Sequence, residues 1–121
     1  MIVNKNGFEL IGTCHGLGIM DFNISGYVKY VNDPINEIGK CIGKIIVVDK
    51  PDPSIVILMR EVKGVISRSG GLTCHVASIR RELGVPVVVG VKNVYDFLKN
   101  DMLVEIECKN TEGIIYAIKN V

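Results

Sequence analysis

Gly64-Val65-Ile66-Ser67-Arg68-Ser69-Gly70-Gly71-Leu72-Thr73-Cys74-His75-Val76-Ala77-Ser78-Ile79-Arg80-Arg81-Glu82-Leu83-Gly84 is the stretch on which the fold turns. Gly64 to Ser67 predicts a short strand that runs into the Gly70-Gly71 loop. From Thr73 the period changes. Val76, Ile79 and Leu83 fall at i, i+3 and i+7 with Ala77 beside them, the apolar stripe of a helix. Thr73 suits the N-cap, Arg80-Arg81-Glu82 faces solvent, and Gly84 is a C′ stop with Pro86 soon after. A strand, a glycine loop and a helix in succession are parts of a layered α/β domain.

The flanks agree with that reading. Ile45-Ile46-Val47-Val48, within Lys44 to Asp49, is a β-branched run suited to a strand covered on both faces. Val87-Val88-Val89 is a second such run. Tyr27 to Val31 reads as a strand ended by the turn chemistry of Asn32-Asp33-Pro34. Asp52-Pro53-Ser54 resembles a helix start, so Ile55 to Val62 is expected as a short helix or turn. Leu103 to Cys108 and Ile114 to Ile118 close the chain as strands, with Gly113 at the turn between them. Near the start, Gly12, Gly16 and Gly18 are read as turn residues and His15 as a loop residue. The expectation is one α/β domain over residues 1–121, mostly β with one well-marked helix.

Composition narrows the function. The 121 residues suit one core rather than two. With 48% hydrophobic and 22% charged residues, burial can offset chain entropy and a folded chain is expected. Lys plus Arg total 14 against 13 for Asp plus Glu, a net charge of +1 that argues against nucleic-acid or membrane-surface binding driven by bulk charge. No apolar run reaches the roughly 18–20 residues needed to span a bilayer. Met1 to Gly7 lacks the basic and apolar regions of a signal peptide, so the cytoplasm is the expected compartment. Cys14, Cys41, Cys74 and Cys108 are then expected as thiols. None of them, with His15 or His75, shows the short spacing of a zinc site, so no metal is expected on this chain. Gly12-Thr13-Cys14-His15-Gly16 lacks the ending of a Walker loop and carries no dinucleotide fingerprint.

The candidate chemistry lies at Gly70 to His75. Unpaired N–H groups and the dipole of a helix start favour an anion, such as a phosphoryl group attached to a side chain there. The same field disfavours imidazolium and keeps His75 neutral and nucleophilic. Gly70 and Gly71 allow close backbone approach and positive φ. Thr73 offers a hydroxyl to cap the helix or orient the ring, and Ser78 shares the helical face of His75. Cys74, at the same helix start, is read as a small tolerated residue rather than a redox thiol. Arg68 reads equally well as a phosphate contact or a solvated loop residue.

The longer string from Gly70 to Gly90 resembles the phosphohistidine signature of phosphoenolpyruvate-utilising enzymes, a family that includes phosphoenolpyruvate synthase, pyruvate phosphate dikinase and enzyme I. The Thr73-Cys74-His75 form is most similar to the synthases. Agreement is strong from Ser67 to Gly90 and weaker from Gly39 to Gly113. Leu72, Val76 and Ser78 depart from the usual residues of the family.

The resemblance implies a three-layer β/β/α swivelling domain and a phosphocarrier function. His75 would be the phosphoryl acceptor, Thr73 its neighbouring hydroxyl, and Gly70 and Gly71 the phosphate-binding loop. It implies a phosphotransferase domain that is not a complete enzyme alone, with no cofactor on this chain. ATP and Mg²⁺ would sit on a nucleotide-binding phosphotransferase partner, and a phosphoenolpyruvate/pyruvate-type site would act in trans. The alternative is a regulatory or interaction domain that keeps the fold and is not phosphorylated.

Overall fold

The computed structural model describes residues 2–3, 8–50, 53–71 and 83–120. The fold is mixed α/β. Its strands are β1 (Ile2–Val3), β2 (Phe8–Gly18), β3 (Phe22–Tyr30), β4 (Ile45–Val48), β5 (Gly64–Ser67), β6 (Val87–Val89), β7 (Leu103–Lys109) and β8 (Glu112–Asn120). Helix α1 spans Pro34–Cys41, a 3-10 turn spans Pro53–Leu58, and a one-turn helix, α2, spans Val94–Phe97. Among the described residues no helix is long and apolar enough to cross a membrane.

The strands join in the order β1-β2-β6-β5-β4-β3-β7-β8, and β2 pairs with β8 as well, so all except β1 form a ring. β3, β4, β5 and β6 run parallel to one another, with Val28↔Ile45, Val47↔Ile66 and Ile66↔Val88 in register. The pairings of β2, β7 and β8 are antiparallel.

The expected strands at β4, β5 and β6 are present, and every one of their residues is buried. Their side chains alternate between two cores, as the two-residue repeat of a strand requires. Ile46, Val48, Val65, Val87 and Val89 join Cys41, Ile55, Leu58, Met59 and Leu83 on the side of α1 and the 3-10 turn. Ile45, Val47, Ile66 and Val88 meet Cys14, Val104, Ile106, Ile115 and Ala117 on the side of β2, β7 and β8. Each buried Val or Ile contributes about 1.5–3 kcal/mol through removal from water, so these strands anchor both cores at once.

Three expectations are corrected. Asn32-Asp33-Pro34 is a helix start rather than only a turn. Asp33 caps α1 by accepting from the Asn36 N–H at 3.4 Å, and Pro34 occupies the first turn, where its missing donor costs nothing. Glu37 reaches back to accept from the Asn32 and Asp33 N–H groups at 2.9 and 2.6 Å and pairs with Lys29 at 3.2 Å.

Secondly, Gly12, Gly16, Gly18 and His15 lie within the long strand β2 and not in turns. The small size of the three glycines serves close packing. A Cβ at Gly16 would meet the Val89 carbonyl at 2.6 Å, and one at Gly18 would overlap the Cys108 sulfur.

Thirdly, Gly113 is a β8 residue paired with Cys108. The turn between β7 and β8 is made by Asn110 and Thr111, with φ of 54° and 67°.

The helix expected from Thr73 lies almost wholly outside the described residues. At its end, Leu83 has helical backbone and packs on the α1-side core, and Gly84 takes a φ of 76°, as a helix stop does.

Candidate functional site

Parallel strands place their following loops together at one edge, where open α/β folds collect ligands. Here Asn32 follows β3, Asp49 and Lys50 follow β4, Arg68 to Gly71 follow β5, and Gly90 follows β6. The register Val48↔Ser67 sets Asp49 beside Arg68.

Asp49 holds the beginning of the β5 loop at several points. Its main-chain oxygen accepts from the Ser69 N–H at 3.1 Å and from the Ser69 hydroxyl at 2.8 Å. Its carboxylate accepts from Arg68 Nε. The Arg68 N–H donates to the Val48 carbonyl at 3.0 Å, continuing the ladder by one residue. Ser67, fully buried, donates its hydroxyl to the Ser69 carbonyl at 2.7 Å.

Electrostatics follow this geometry. The Arg68 hydrogen bond holds the Asp49 carboxyl below its ordinary range, and Asp49 in turn raises Arg68. Burial, and after it the Asp49 charge, pushes Tyr95 upward. The side chains of Asp49 and Arg68 are 50% and 43% exposed, so their pairing acts through orientation more than stability.

Gly70 carries a φ of 107°, a conformation closed to other residues without strain. Its carbonyl packs against Gly90, where a Cβ would approach to 3.3 Å, and Gly90 itself has a φ of 71°. Gly71 differs from the expectation of a special backbone at both glycines. It is absent from the positive-φ positions, and among the described residues nothing lies within 4 Å of a Cβ built there. Among the described residues of this loop, the glycine with positive φ is Gly70.

Two open recesses flank the loop. One of about 240 Å³ lies over Val48 and Ile55 and is rimmed by Asn32, Asp49, Lys50 and Tyr95. The other, of about 510 Å³, runs from Gly90 past His15 to the Thr111 turn. His15, exposed on β2 opposite Ile114, thus lines a groove beside the loop.

Of the expected site residues, Gly70 and Gly71 are placed on this edge. Thr73 and His75 lie outside the described residues, as do Leu72, Cys74 and Ser78. Among the described residues no three His, Cys, Asp or Glu side chains are gathered to hold a metal ion. Sequence reasoning did not single out Asp49 or Gly90. A carboxylate directly after the buried run Ile45–Val48 was the available signal for Asp49. Gly90 had only its place after Val87–Val89.

The model of the family "PEP-utilising enzyme, mobile domain" matches residues 42–111, which include the loop and the segment through His75. Among curated relatives, a probable phosphoenolpyruvate synthase of Methanothermobacter thermautotrophicus is 39% identical over 102 residues, covering 84% of this chain and 14% of its own length. The phosphoenolpyruvate synthase of Helicobacter pylori is 38% identical over 94 residues, 77% of this chain and 12% of its own. The chain thus spans a small part of these relatives. Among solved structures, the solution structure of an Enzyme I protein superposes with a TM-score of 0.51 at 30% identity, over 61% of this chain and 31% of that one. With the Gly70-Gly71 segment inside the matched region, the chain belongs to the mobile-domain family of phosphoenolpyruvate-utilising enzymes.

Proposed function

We propose that residues 1–121 form a three-layer β/β/α swivelling domain that carries a phosphoryl group on His75 between two sites on partner domains. The observation that carries this reading is the family match across residues 42–111, with the His75 segment following in sequence a β5 loop that takes positive φ at Gly70. The division of β4, β5 and β6 side chains between two cores supports the layering. The spans of 14% and 12% in the two synthases support partners of other kinds in the same enzymes.

In the proposed step a neutral imidazole nitrogen of His75 attacks phosphorus in line. An N–P bond forms as the P–O bond to the donor breaks, and the departing oxygen keeps the electron pair. The ring then releases its remaining N–H proton to solvent, leaving a phosphohistidine with a neutral ring and an anionic phosphoryl group. Gly70 and Gly71 offer backbone N–H groups to the phosphoryl oxygens, and the Thr73 hydroxyl orients the ring. Delivery at the second site reverses these events on another acceptor. ATP and Mg²⁺ belong to a nucleotide-binding partner, and a phosphoenolpyruvate/pyruvate-type site to another. The setting is the cytoplasm.

The test is incubation with nucleotide-binding domains encoded beside this chain, plus ATP or phosphoenolpyruvate, followed by mass spectrometry without acid. One phosphoryl addition is expected, on the peptide holding His75, labile in acid and stable in alkali. His75→Ala abolishes it and His15→Ala leaves it. Absence of modification with every native neighbour would favour a non-phosphorylated regulatory domain, and phosphate on Thr73 would favour a charge switch.

A further inference from the structure

We propose that Arg68 is the cation that contacts phosphate at this loop, and that Asp49 is the positioning residue that aims it. The inference rests on the phosphocarrier reading and adds to it a charged group outside the Gly70 to His75 segment.

Backbone N–H groups alone offer partial charges to a phosphoryl group, and a full positive charge near the loop would strengthen its capture. Lys50 and Arg68 are the basic residues of the segments that follow β4 and β5 on this edge, two residues and one residue beyond the strand ends. Among the described residues, Arg68 is the one of the two tied to a carboxylate, through Nε and Asp49 Oδ1. With Nε engaged, a guanidinium still has four N–H donors on its two Nη atoms, set in a planar fork that suits phosphate oxygens.

The backbone of the same residue is equally constrained. Its N–H bonds to Val48, and its neighbour Ser69 is held twice by the Asp49 carbonyl. One residue at the end of β4 therefore sets both the course of the loop and the direction of the arginine. Gly70, with its positive φ, follows directly. The pair is half exposed, so an incoming anion can reach the guanidinium without displacing core residues. An exposed pair of this kind adds little to folding, and its consequence within the molecule is geometric.

The test is a titration of the whole chain with inorganic phosphate, followed by the amide resonances of Ser69, Gly70 and Gly71. Saturable shifts are expected in the native chain. Arg68→Gln should weaken phosphate binding about tenfold, the loss of one charge-assisted contact, while Arg68→Lys should stay within about threefold. Asp49→Ala should weaken it severalfold, and should add nothing in the Arg68→Gln background. Far-UV spectra and melting temperatures should stay unchanged in all variants. Equal phosphate binding by Arg68→Gln overturns the proposal, as does a native chain with no saturable shift. Loss in Asp49→Ala that persists without Arg68 overturns the positioning role.

A parallel arm treats the chain with phosphoramidate, a small-molecule phosphoryl donor to imidazole, and maps the product. Modification of His75 with phosphate binding indifferent to Arg68 leaves the carrier reading standing and removes Arg68 from it. Arg68-dependent phosphate binding with no modification of His75 supports the anion contact and counts against the carrier reading.

Discussion

Replacing each loop glycine by alanine should be costly at Gly70 and harmless or slightly stabilising at its neighbour Gly71. At Gly70 the φ of 107° lies beyond the small left-handed region open to L-residues. Holding alanine there costs about 2–3 kcal/mol, offset by about 0.4–1 kcal/mol from the reduced freedom of the unfolded chain, for a net loss of about 2 kcal/mol. At Gly90 the φ of 71° is within the left-handed region, and the new methyl group meets the Gly70 carbonyl at 3.3 Å. A net loss of about 1 kcal/mol is expected. At Gly71 neither obstacle is present among the described residues, so alanine should be neutral or stabilise by up to about 0.5 kcal/mol. Urea unfolding followed by circular dichroism measures all three, and for a chain of this size 1 kcal/mol corresponds to roughly 3–6 °C in melting temperature. A Gly71→Ala loss equal to that of Gly70→Ala, or a neutral Gly70→Ala, would refute the assignment of the strained position to Gly70.

Glu37 should make stability fall in acid. Hydrogen bonds from the Asp33 and Asn32 N–H groups, followed by Lys29, lower its pKa from 4.5 to about 2. The group therefore stabilises the fold above pH 4.5 and loses this contribution as pH falls toward 2. After allowance for solvent screening the contribution is about 1 kcal/mol, and Glu37→Gln should remove it at pH 7 and flatten that part of the pH profile. Gly16→Ala should cost about 2–3 kcal/mol, read by the same unfolding assay, because the backbone carbonyl of Val89 cannot withdraw cheaply from the new methyl group. Burial pushes the Cys14 thiol up to about 11, so iodoacetamide at pH 8 should label it far more slowly in the folded chain than in urea.

The parallel strands were legible because burial on both faces writes itself as an unbroken apolar run, as at Ile45–Val48 and Val87–Val89. β2 was not, since glycines selected for close packing against Val89 and Cys108 look the same as glycines selected for turns. Helix α1 was obscured by Asp33-Pro34, which begins turns and helices alike, and by Ile35, which stays 68% exposed and blurs the apolar stripe. At the site, the glycine pair was visible in the sequence, but which glycine bears the unusual backbone depends on contacts with Gly90. Asp49 gains its place only through the register of β4 with β5, a relation between segments that local sequence does not contain.

The ring of strands also dictates an order of assembly. β2 is paired with β8 from Phe8↔Asn120 to Leu17↔Glu112, with one register shift between Leu10 and Gly12, so two strands far apart in the sequence are partners. Closing a loop of roughly 100 residues costs about 4 kcal/mol of chain entropy before any hydrogen bond of that ladder repays it. The pairing of β4 with β5 needs far less closure, and should stand formed in the transition state while β2 still samples solvent. Until β8 docks, β2 presents an unsatisfied backbone edge to other unfolded copies, and the slow phase of refolding should be the one most sensitive to protein concentration.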